Sequence, residues 1–201
     1  RLLASRIPPT GRVLDIACGD GRLFCLSRPS PGLRWFGIDR SHAGLQWARQ
    51  RSPRPWPLVE ATMEHLPFRD GAFDVLVCSL SLQYVRQEKV GEVLSAWKRL
   101  LRSGGRLLLT YPNIITHQYL RRPGEDEALS WEELRDRVAG AGFSVMAEQA
   151  ICRLLPPRMV AWSHGSRAGK LAAGLYYLAA NRVLRPALAR AYHALLVARA
   201  P

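Results

Sequence analysis

Two acidic side chains stand where predicted strands end, and their spacing suggests that they bind a nucleoside. Asp15 closes the apolar run of VLDIACGDGR, and Gly19 and Gly21 follow it within six positions. Asp39 ends the next apolar run, FGIDRS, 24 residues further along the chain. Glycines let the backbone approach a ligand closely, and a carboxylate after the second strand can accept hydrogen bonds from both hydroxyls of a ribose. An isolated carboxylate here is more often a helix cap, but the glycine turn at this distance favours the ribose.

The acid beside the glycine turn argues against the common phosphate-binding loops. Free N–H groups at the start of a helix favour an anion, but the Asp15 carboxylate disfavours a second anion beside it. The dinucleotide fingerprint G-x-G-x-x-G fails because Phe24 stands at the third small position, and no Gly-Lys-Ser/Thr follows the turn. We therefore expect the ligand to present a cationic or neutral hydrogen-bonding group here.

The remainder of the chain alternates apolar runs with amphipathic segments, which predicts an α/β fold. Continuous apolar strands separated by helices indicate a mostly parallel sheet covered on both faces, with ligands beyond the carboxyl ends of its strands. Strands are predicted for RVLDIA, RWFGIDR, PLVEAT, FDVLVCSLS, RLLLTYP, FSVMAEQAI and AYHALLVARA. Helices are predicted for GRLFCLSR, AGLQWARQR, KVGEVLSAWKRLLR, which stops at Gly104-Gly105, and SWEELRDRVAGAGF, which begins with a capping box at Ser130 and Glu133.

Composition narrows the class of protein and its compartment. The 201 residues are enough for one domain spanning 1–201, and the start at Arg1 without methionine leads us to expect that N-terminal helices of the fold are missing. The net charge of +13 comes from arginines scattered along the chain, which favours solvated faces over a nucleic-acid partner. The four cysteines form no C-x-x-C pair or zinc spacing, and no apolar run reaches the roughly 20 residues that span a bilayer. A reducing cytoplasm fits this pattern best.

Taken together, these motifs resemble class I S-adenosylmethionine-dependent methyltransferases, specifically the type 11 branch that includes quinone-biosynthesis-like small-molecule enzymes. VLDIACGDGR resembles the family's first motif, FGIDRS its second, and ATMEHLPFRDGAFDVLVCSLSLQYV its third region. WKRLLRSGGRLLLTYP and SWEELRDRVAGAGFSV are similar to its later segments, so the resemblance covers residues 10–150. It implies a Rossmann-like, doubly wound, seven-stranded sheet, mostly parallel with an antiparallel last strand. It also implies S-adenosyl-L-methionine as cofactor and no metal.

The resemblance also implies which residues hold the cofactor. Asp15 would lie near the ammonium of the methionine part, Asp39 would take the ribose hydroxyls with Arg40 beside the adenine, and Met63 would offer adenine a backbone N–H and an apolar face. Residues 78–80 would line the methyl-donor end. The full implied set is Asp15, Ala17, Gly19, Gly21, Asp39, Arg40, Thr62, Met63, Cys78, Ser79 and Leu80.

Two positions depart from the family's usual pattern. Ala17 replaces the commonest first glycine, which is tolerable because alanine is still small. Thr62 stands where the family usually has an aspartate that accepts from the adenine amino group. A threonine hydroxyl accepts a weaker hydrogen bond than a carboxylate does, so weak cofactor affinity is one expectation, although Glu60 or Glu64 could compensate.

Substrate-facing residues are expected after the fourth and fifth strands. Tyr84 would lie near the entrance of the site, and Tyr111, His117 and Tyr119 could face a substrate. His117 is the candidate general base because the unperturbed pKa of histidine lies near neutrality. A loop histidine without a catalytic task explains His117 equally well.

Residues 152–190 are the least family-like part of the chain. An apolar stretch within them, flanked by Lys170, Arg182 and Arg185, predicts a helix. This helix could be a lid over an apolar pocket, or it could pack on the flank of the sheet. Peripheral contact of residues 170–185 with an anionic membrane is a further alternative that we weigh below these two.

The predicted reaction is transfer of a methyl group from S-adenosyl-L-methionine to an oxygen, nitrogen or carbon nucleophile of a small molecule, which could be apolar or lipid-like. The sequence lacks the Asn/Asp-Pro-Pro-Tyr type of motif that resembles DNA amino-group methyltransferases, so no nucleic-acid partner is expected. The alternative is a degenerate methyltransferase fold that serves as a cofactor-binding scaffold or partner protein without catalysis, a hypothesis that Thr62 motivates. The oligomeric state stays open.

Overall fold

A computed structural model describes residues 2–27, 30–52, 54–112, 129–153 and 191–201 of the chain. These residues build one seven-stranded sheet in the order β3-β2-β1-β4-β5-β7-β6. Neighbouring strands run parallel except β7, which is antiparallel to both β5 and β6. The predicted Rossmann-like, mostly parallel sheet with an antiparallel last strand is therefore confirmed. The strands are β1 (Gly11–Ile16), β2 (Leu33–Asp39), β3 (Leu58–Glu60), β4 (Phe73–Ser79), β5 (Leu101–Pro112), β6 (Ser144–Arg153) and β7 (Ala191–Arg199).

Two of the helices begin at side-chain caps that the sequence places there. Ser41 accepts the backbone N–H of Gly44 at 3.1 Å at the start of the third helix. Ser130 and Glu133 form the predicted capping box, in which each side chain accepts the backbone N–H of the other residue. The helices are α1 (Leu2–Arg6), α2 (Arg22–Leu26), α3 (His42–Arg51), α4 (Val90–Leu100) and α5 (Trp131–Gly140), with 3₁₀ turns at Leu82–Tyr84 and Gln87–Lys89.

Two hydrophobic layers fix the sheet between its helices. One layer packs α4 and α5 against one face of the sheet, with Trp97 and Leu134 fully buried. The other packs α1 and α3 against the opposite face through Leu3 and Leu45. Because side chains alternate along a strand, Val13 and Leu14 of β1 enter different layers. The chain order reverses beside β1, which has β2 on one side and β4 on the other, so ligands are expected beyond the carboxyl ends of these three strands.

The boundary between α4 and β5 differs from the prediction. The helix was expected to continue to Gly104-Gly105, but it ends at Leu100, and Leu101 already pairs with Phe73 of β4. This pairing buries the Leu101 side chain to 6% exposure, and that tertiary contact overrides local helix propensity. The next pair of the β4–β5 ladder is Val75–Arg106, so the register between the two strands shifts after Phe73.

The predicted helix within residues 152–190 lies outside the described residues, apart from Cys152 and Arg153 at the end of β6. The three alternative roles of this helix, as a lid, as a packing helix or as a membrane-contacting helix, therefore stay predictions. None of the helices in the described ranges has the length and apolar composition that a membrane span requires.

Candidate functional site

The turn between β1 and α2 has a left-handed backbone at three positions. Ala17 has φ 58°, Gly19 has φ 53° and Gly21 has φ 73°. Glycine adopts this conformation without strain, whereas an L-residue such as alanine does so at a cost. Gly21 is also restricted by space, because a Cβ there would lie 3.1 Å from Ala48 and 3.2 Å from Trp56. The backbone conformation therefore favours glycine at these positions, and at Gly21 the lack of space does so as well.

The Asp39 carboxylate at the end of β2 accepts hydrogen bonds from this turn and from Ser41, the residue that caps α3. Its Oδ2 accepts the backbone N–H of Gly19 at 2.7 Å. Its Oδ1 accepts the backbone N–H of Ser41 at 2.8 Å. The carboxylate is therefore fixed in position by two backbone donors from different segments, and the two predicted motifs meet in one place.

Asp15 lies beneath the same turn in the centre of the sheet. Its neighbours in the ladder are Gly37 of β2 and Val77 of β4, and it is only 2% exposed. Burial, reinforced by the negative charge of Asp39, raises the pKa of Asp15 to about 8. A cation brought close to both carboxylates would reverse this shift, because an opposite charge favours the ionised form. The pair is suited to a ligand with a positive group.

A cleft of about 260 Å³ opens above the ends of β1, β2 and β3. It contains five of the predicted cofactor residues together with Tyr84, which was predicted to face the substrate. Ile38, Ala61, Glu64 and Ser81 complete its lining. The lining residues are Ala17, Ile38, Asp39, Arg40, Ala61, Thr62, Met63, Glu64, Ser81 and Tyr84.

The segment after β3 is held in place by hydrogen bonds to its backbone, one from β2 and one from a side chain of α4. The backbone N–H of Ala61 donates to the Asp39 carbonyl at 3.1 Å. The indole N–H of Trp97, which is fully buried in α4, donates to the Met63 carbonyl at 2.8 Å. Thr62, between these anchors, is exposed and lines the cleft. The positions predicted to contact adenine are therefore fixed by the fold itself.

The end of β4 adopts a second unusual backbone conformation. Leu80 has φ 54°, and its N–H donates to both the carbonyl oxygen and the Oγ1 of Thr110, at 3.0 and 3.1 Å. The Oγ of Ser79 lies 3.2 Å from the same Oγ1. Thr110, only 3% exposed near the end of β5, thus holds two of the three residues that were predicted to line the methyl-donor end.

Other predicted residues lie elsewhere. The Cys78 side chain is fully buried in the core, where burial and the charge of Asp15 raise the pKa of its thiol to about 12, so only its backbone is available to a ligand. Tyr111 was predicted to face a substrate. Instead its ring is 2% exposed in the core, and its hydroxyl accepts the backbone N–H of Leu129 at 2.8 Å. His117 and Tyr119 lie outside the described residues.

Several residues of the site were not predicted as such. Ile38 and Ala61 adjoin predicted positions, and Ser81 stands between predicted Leu80 and Tyr84. Their signal in the sequence is that each lies at or just after a strand end. Glu64 was predicted only as an acceptor that could compensate for Thr62. Thr110 belongs to no motif that pointed to the site.

Comparison with known proteins gives an independent line of evidence. Residues 14–109 match a sequence family described as a methyltransferase domain. The chain is 34% identical over 113 residues to a malonyl-[acyl-carrier protein] O-methyltransferase of Legionella pneumophila, a match covering 55% of this chain and 39% of that protein. It is 33% identical over 110 residues to the putative methyltransferase YqeM of Bacillus subtilis, covering 53% and 44%. The matches thus span less than half the length of these curated relatives.

The fold has close counterparts among solved structures. A putative methyltransferase from Bacillus halodurans superposes with a TM-score of 0.71 over 100% of this chain and 96% of its own. The sequence identity is 17%, so this similarity concerns the fold.

Proposed function

The chain carries a class I S-adenosylmethionine-dependent methyltransferase domain, and from this premise we propose that the protein methylates a small molecule. The cofactor would bind at the carboxyl ends of β1, β2 and β4. The methyl group would pass to an oxygen, nitrogen or carbon nucleophile of the acceptor.

The doubly anchored carboxylate of Asp39 is the observation that carries this proposal. A carboxylate has about four lone-pair sites, and the N–H groups of Gly19 and Ser41 occupy two of them. The remaining sites can accept the two hydroxyls of a ribose. Because the acceptor is already fixed, binding requires little reorganisation of the protein.

The residues around Asp39 fit the two ends of the same cofactor. On one side, buried Asp15 provides negative charge for the ammonium of the methionine part. On the other side, Thr62 and Met63 line the cleft where the adenine would lie, with Arg40 beside it. Thr62 supplies only a hydroxyl in this interpretation, so we expect affinity to depend mainly on Asp39 and Asp15.

The bound cofactor supplies an electrophilic methyl group on its sulfonium. The chain's own contribution is orientation, because holding a nucleophile about 3–3.5 Å from its target removes much of the barrier to transfer. Leu80 and Ser79 would shape the methyl-donor end, and Thr110 fixes both. An acceptor that must lose a proton would need a base, for which His117 stays the candidate.

The acceptor is proposed to be small and partly apolar. Tyr84 supports this, because its ring lines the cleft and is 60% exposed at the mouth. The Legionella relative is named as an O-methyltransferase, so oxygen nucleophiles are the first to test.

A transfer screen with radiolabelled S-adenosyl-L-methionine tests the proposal. The acceptors are quinones, phenols, carboxylic acids, lipids and amines, and the matched variants are Asp39→Asn and Asp136→Asn, the latter on the exposed face of α5. We expect labelled product with the wild type and Asp136→Asn and at least tenfold less with Asp39→Asn. Cofactor binding without transfer to any acceptor would contradict the proposal and favour the non-catalytic scaffold.

A further inference from the structure

A second cavity, of about 450 Å³, lies near the start of β2, at the opposite end of that strand from the cleft. Only residues 37–39 of β2 pair with β3, so among the described residues no strand covers the outer edge of Leu33–Phe36. The end of α2 and residues 54–57 close the remaining sides. Cavities of this size with mostly apolar walls and a few polar groups are typical of small-molecule sites.

Three aromatic rings form the wall of this cavity. The rings of Phe24 and Trp56 are stacked, with centroids 4.6 Å apart and an angle of 9° between their planes. Trp35 meets both rings edge-on, at 5.7 and 6.3 Å. Phe24 is half-buried and the two tryptophans are buried behind it, so this wall of the cavity is apolar and aromatic.

Trp56 also has an unused hydrogen-bond donor at this wall. Its side chain is only 8% exposed, and its Nε1–H meets no acceptor within the described part of the chain. Buried donors are paired in the great majority of native structures, so an unpaired one calls for a partner from outside. An acceptor atom on a ligand in the cavity would satisfy it.

The charged side chains among the described lining residues of the cavity are both positive. Arg34 and Arg54 are part of its lining, and no carboxylate is among the described lining residues. Neither guanidinium has an ion-pair partner in the portion of the chain that is described. Both side chains are exposed at the rim, where they favour an anionic group on the ligand.

We propose that this cavity is a second ligand site, separate from the cofactor cleft, that takes a small planar aromatic carboxylate. The aromatic body lies against Trp56 and its neighbours, an acceptor atom takes the Trp56 N–H, and the carboxylate lies toward Arg34 and Arg54. The proposal does not depend on the methyltransferase activity.

The ring of Trp56 packs closely against the backbone of two neighbouring segments. A Cβ added to Gly37 would lie 2.7 Å from the six-membered ring of Trp56, and one at Gly21 would lie 3.2 Å from it. The ring is therefore seated against the backbone of β2 and against the turn before α2. Trp56 is therefore held in place by its neighbours, and its unpaired N–H is a buried donor beside the cavity.

The test is a titration monitored through the six tryptophan indole N–H signals in a ¹H–¹⁵N spectrum of the whole chain. Indole-3-acetate is the probe and indole-3-acetamide its neutral counterpart. Trp56→Phe assigns the Trp56 signal, and Arg54→Gln and Arg34→Gln remove the proposed charge. Arg49→Gln, an exposed arginine of α3 outside the cavity lining, is the matched control.

We expect the acetate to shift the Trp56 signal saturably at millimolar concentration, with the acetamide binding at least fivefold more weakly. Arg54→Gln and Arg34→Gln together should weaken acetate binding at least fivefold, and Arg49→Gln should leave it unchanged. An unmoved Trp56 signal, equal shifts of all indole signals, or equal binding in the Arg34→Gln, Arg54→Gln double variant would overturn the proposal. If Trp56→Phe fails to fold, the Trp56 signal stays unassigned, and the change in acetate affinity between the wild type and the arginine variants decides the test.

Discussion

The Asp39 carboxylate accepts the backbone N–H of Gly19 at 2.7 Å, so an acid of β2 fixes the glycine turn that follows β1. The nucleoside site needs both the turn that contains Gly19 and the carboxylate of Asp39. The turn brings the backbone close to a ligand, and the carboxylate orients the turn while offering its free lone pairs outward. A change at Asp39 should therefore affect ligand binding and the local order of residues 17–21 together.

Cofactor affinity should depend on pH through Asp15. Its pKa is raised to about 8 without a cation nearby, and a bound ammonium favours the ionised form. Binding therefore releases a proton, and affinity should rise as the pH increases from 5 to about 7.5. Titration calorimetry in two buffers of different ionisation enthalpy measures this release.

Two controls isolate the contribution of Asp15. Asp15→Asn should bind more weakly and lose the pH slope. Methylthioadenosine, which has no ammonium, should show no slope with the wild type. A slope that persists in Asp15→Asn would show that another group is responsible.

The free energy of unfolding of the ligand-free protein should respond to Asp15 in the opposite direction. Because the folded pKa of about 8 exceeds the ordinary 3.8, the folded state binds the proton more tightly than the unfolded chain does. This contribution is fully present below pH 3.8 and is lost as the pH rises through 8. Urea unfolding between pH 5 and 8 should show the wild type losing stability relative to Asp15→Asn, and parallel curves would contradict the assignment.

Ala17→Gly should stabilise the protein. An alanine in the left-handed conformation costs about 1–2 kcal/mol, which glycine avoids. Glycine loses more backbone entropy on folding, which costs about 0.5–1 kcal/mol, so we expect a net stabilisation of roughly 0.5–1 kcal/mol. Ala43→Gly in α3 is the matched control and should destabilise by a similar amount, about 0.5–1 kcal/mol. Chemical denaturation measures both, and a loss of stability in Ala17→Gly would show that its methyl group has a packing role.

Thr110 should act as a positioning residue for the end of β4. Thr110→Val keeps the shape but removes the hydroxyl that Leu80 and Ser79 contact. Losing about 1 kcal/mol of hydrogen bonding there should lower kcat about fivefold, whereas the Kd for S-adenosylhomocysteine should stay within about twofold because Leu80 does not line the nucleoside cleft. Thr110→Ser should restore kcat. A variant that lowers only the melting temperature would indicate a purely structural role.

The strand ends were predictable because their signals are local. An apolar run, an acid and two glycines specify a strand and a tight turn whatever surrounds them, and parallel strands bring Asp15 and Asp39 to the same edge of the sheet. The antiparallel β7 followed from the resemblance to a known family and not from its own sequence.

Residues whose role depends on the direction of one side chain were harder to predict. Tyr111 lies near the end of β5, close to the expected site, but strand alternation places it on the same face as Leu107 and Leu109, in the core. Cys78 is buried for the same reason. The second cavity depends on how α2, β2 and residues 54–57 meet in space, which no single segment of sequence encodes.

Calorimetric titration of S-adenosylhomocysteine into the wild type, Asp39→Asn and Asp136→Asn is the most direct test of the nucleoside site. Charge-assisted hydrogen bonds contribute about 1.5–3 kcal/mol, so Asp39→Asn should weaken binding roughly 10- to 100-fold while Asp136→Asn leaves it unchanged. Equal binding by Asp39→Asn and the wild type, or no binding by the wild type at high micromolar ligand, would contradict the account.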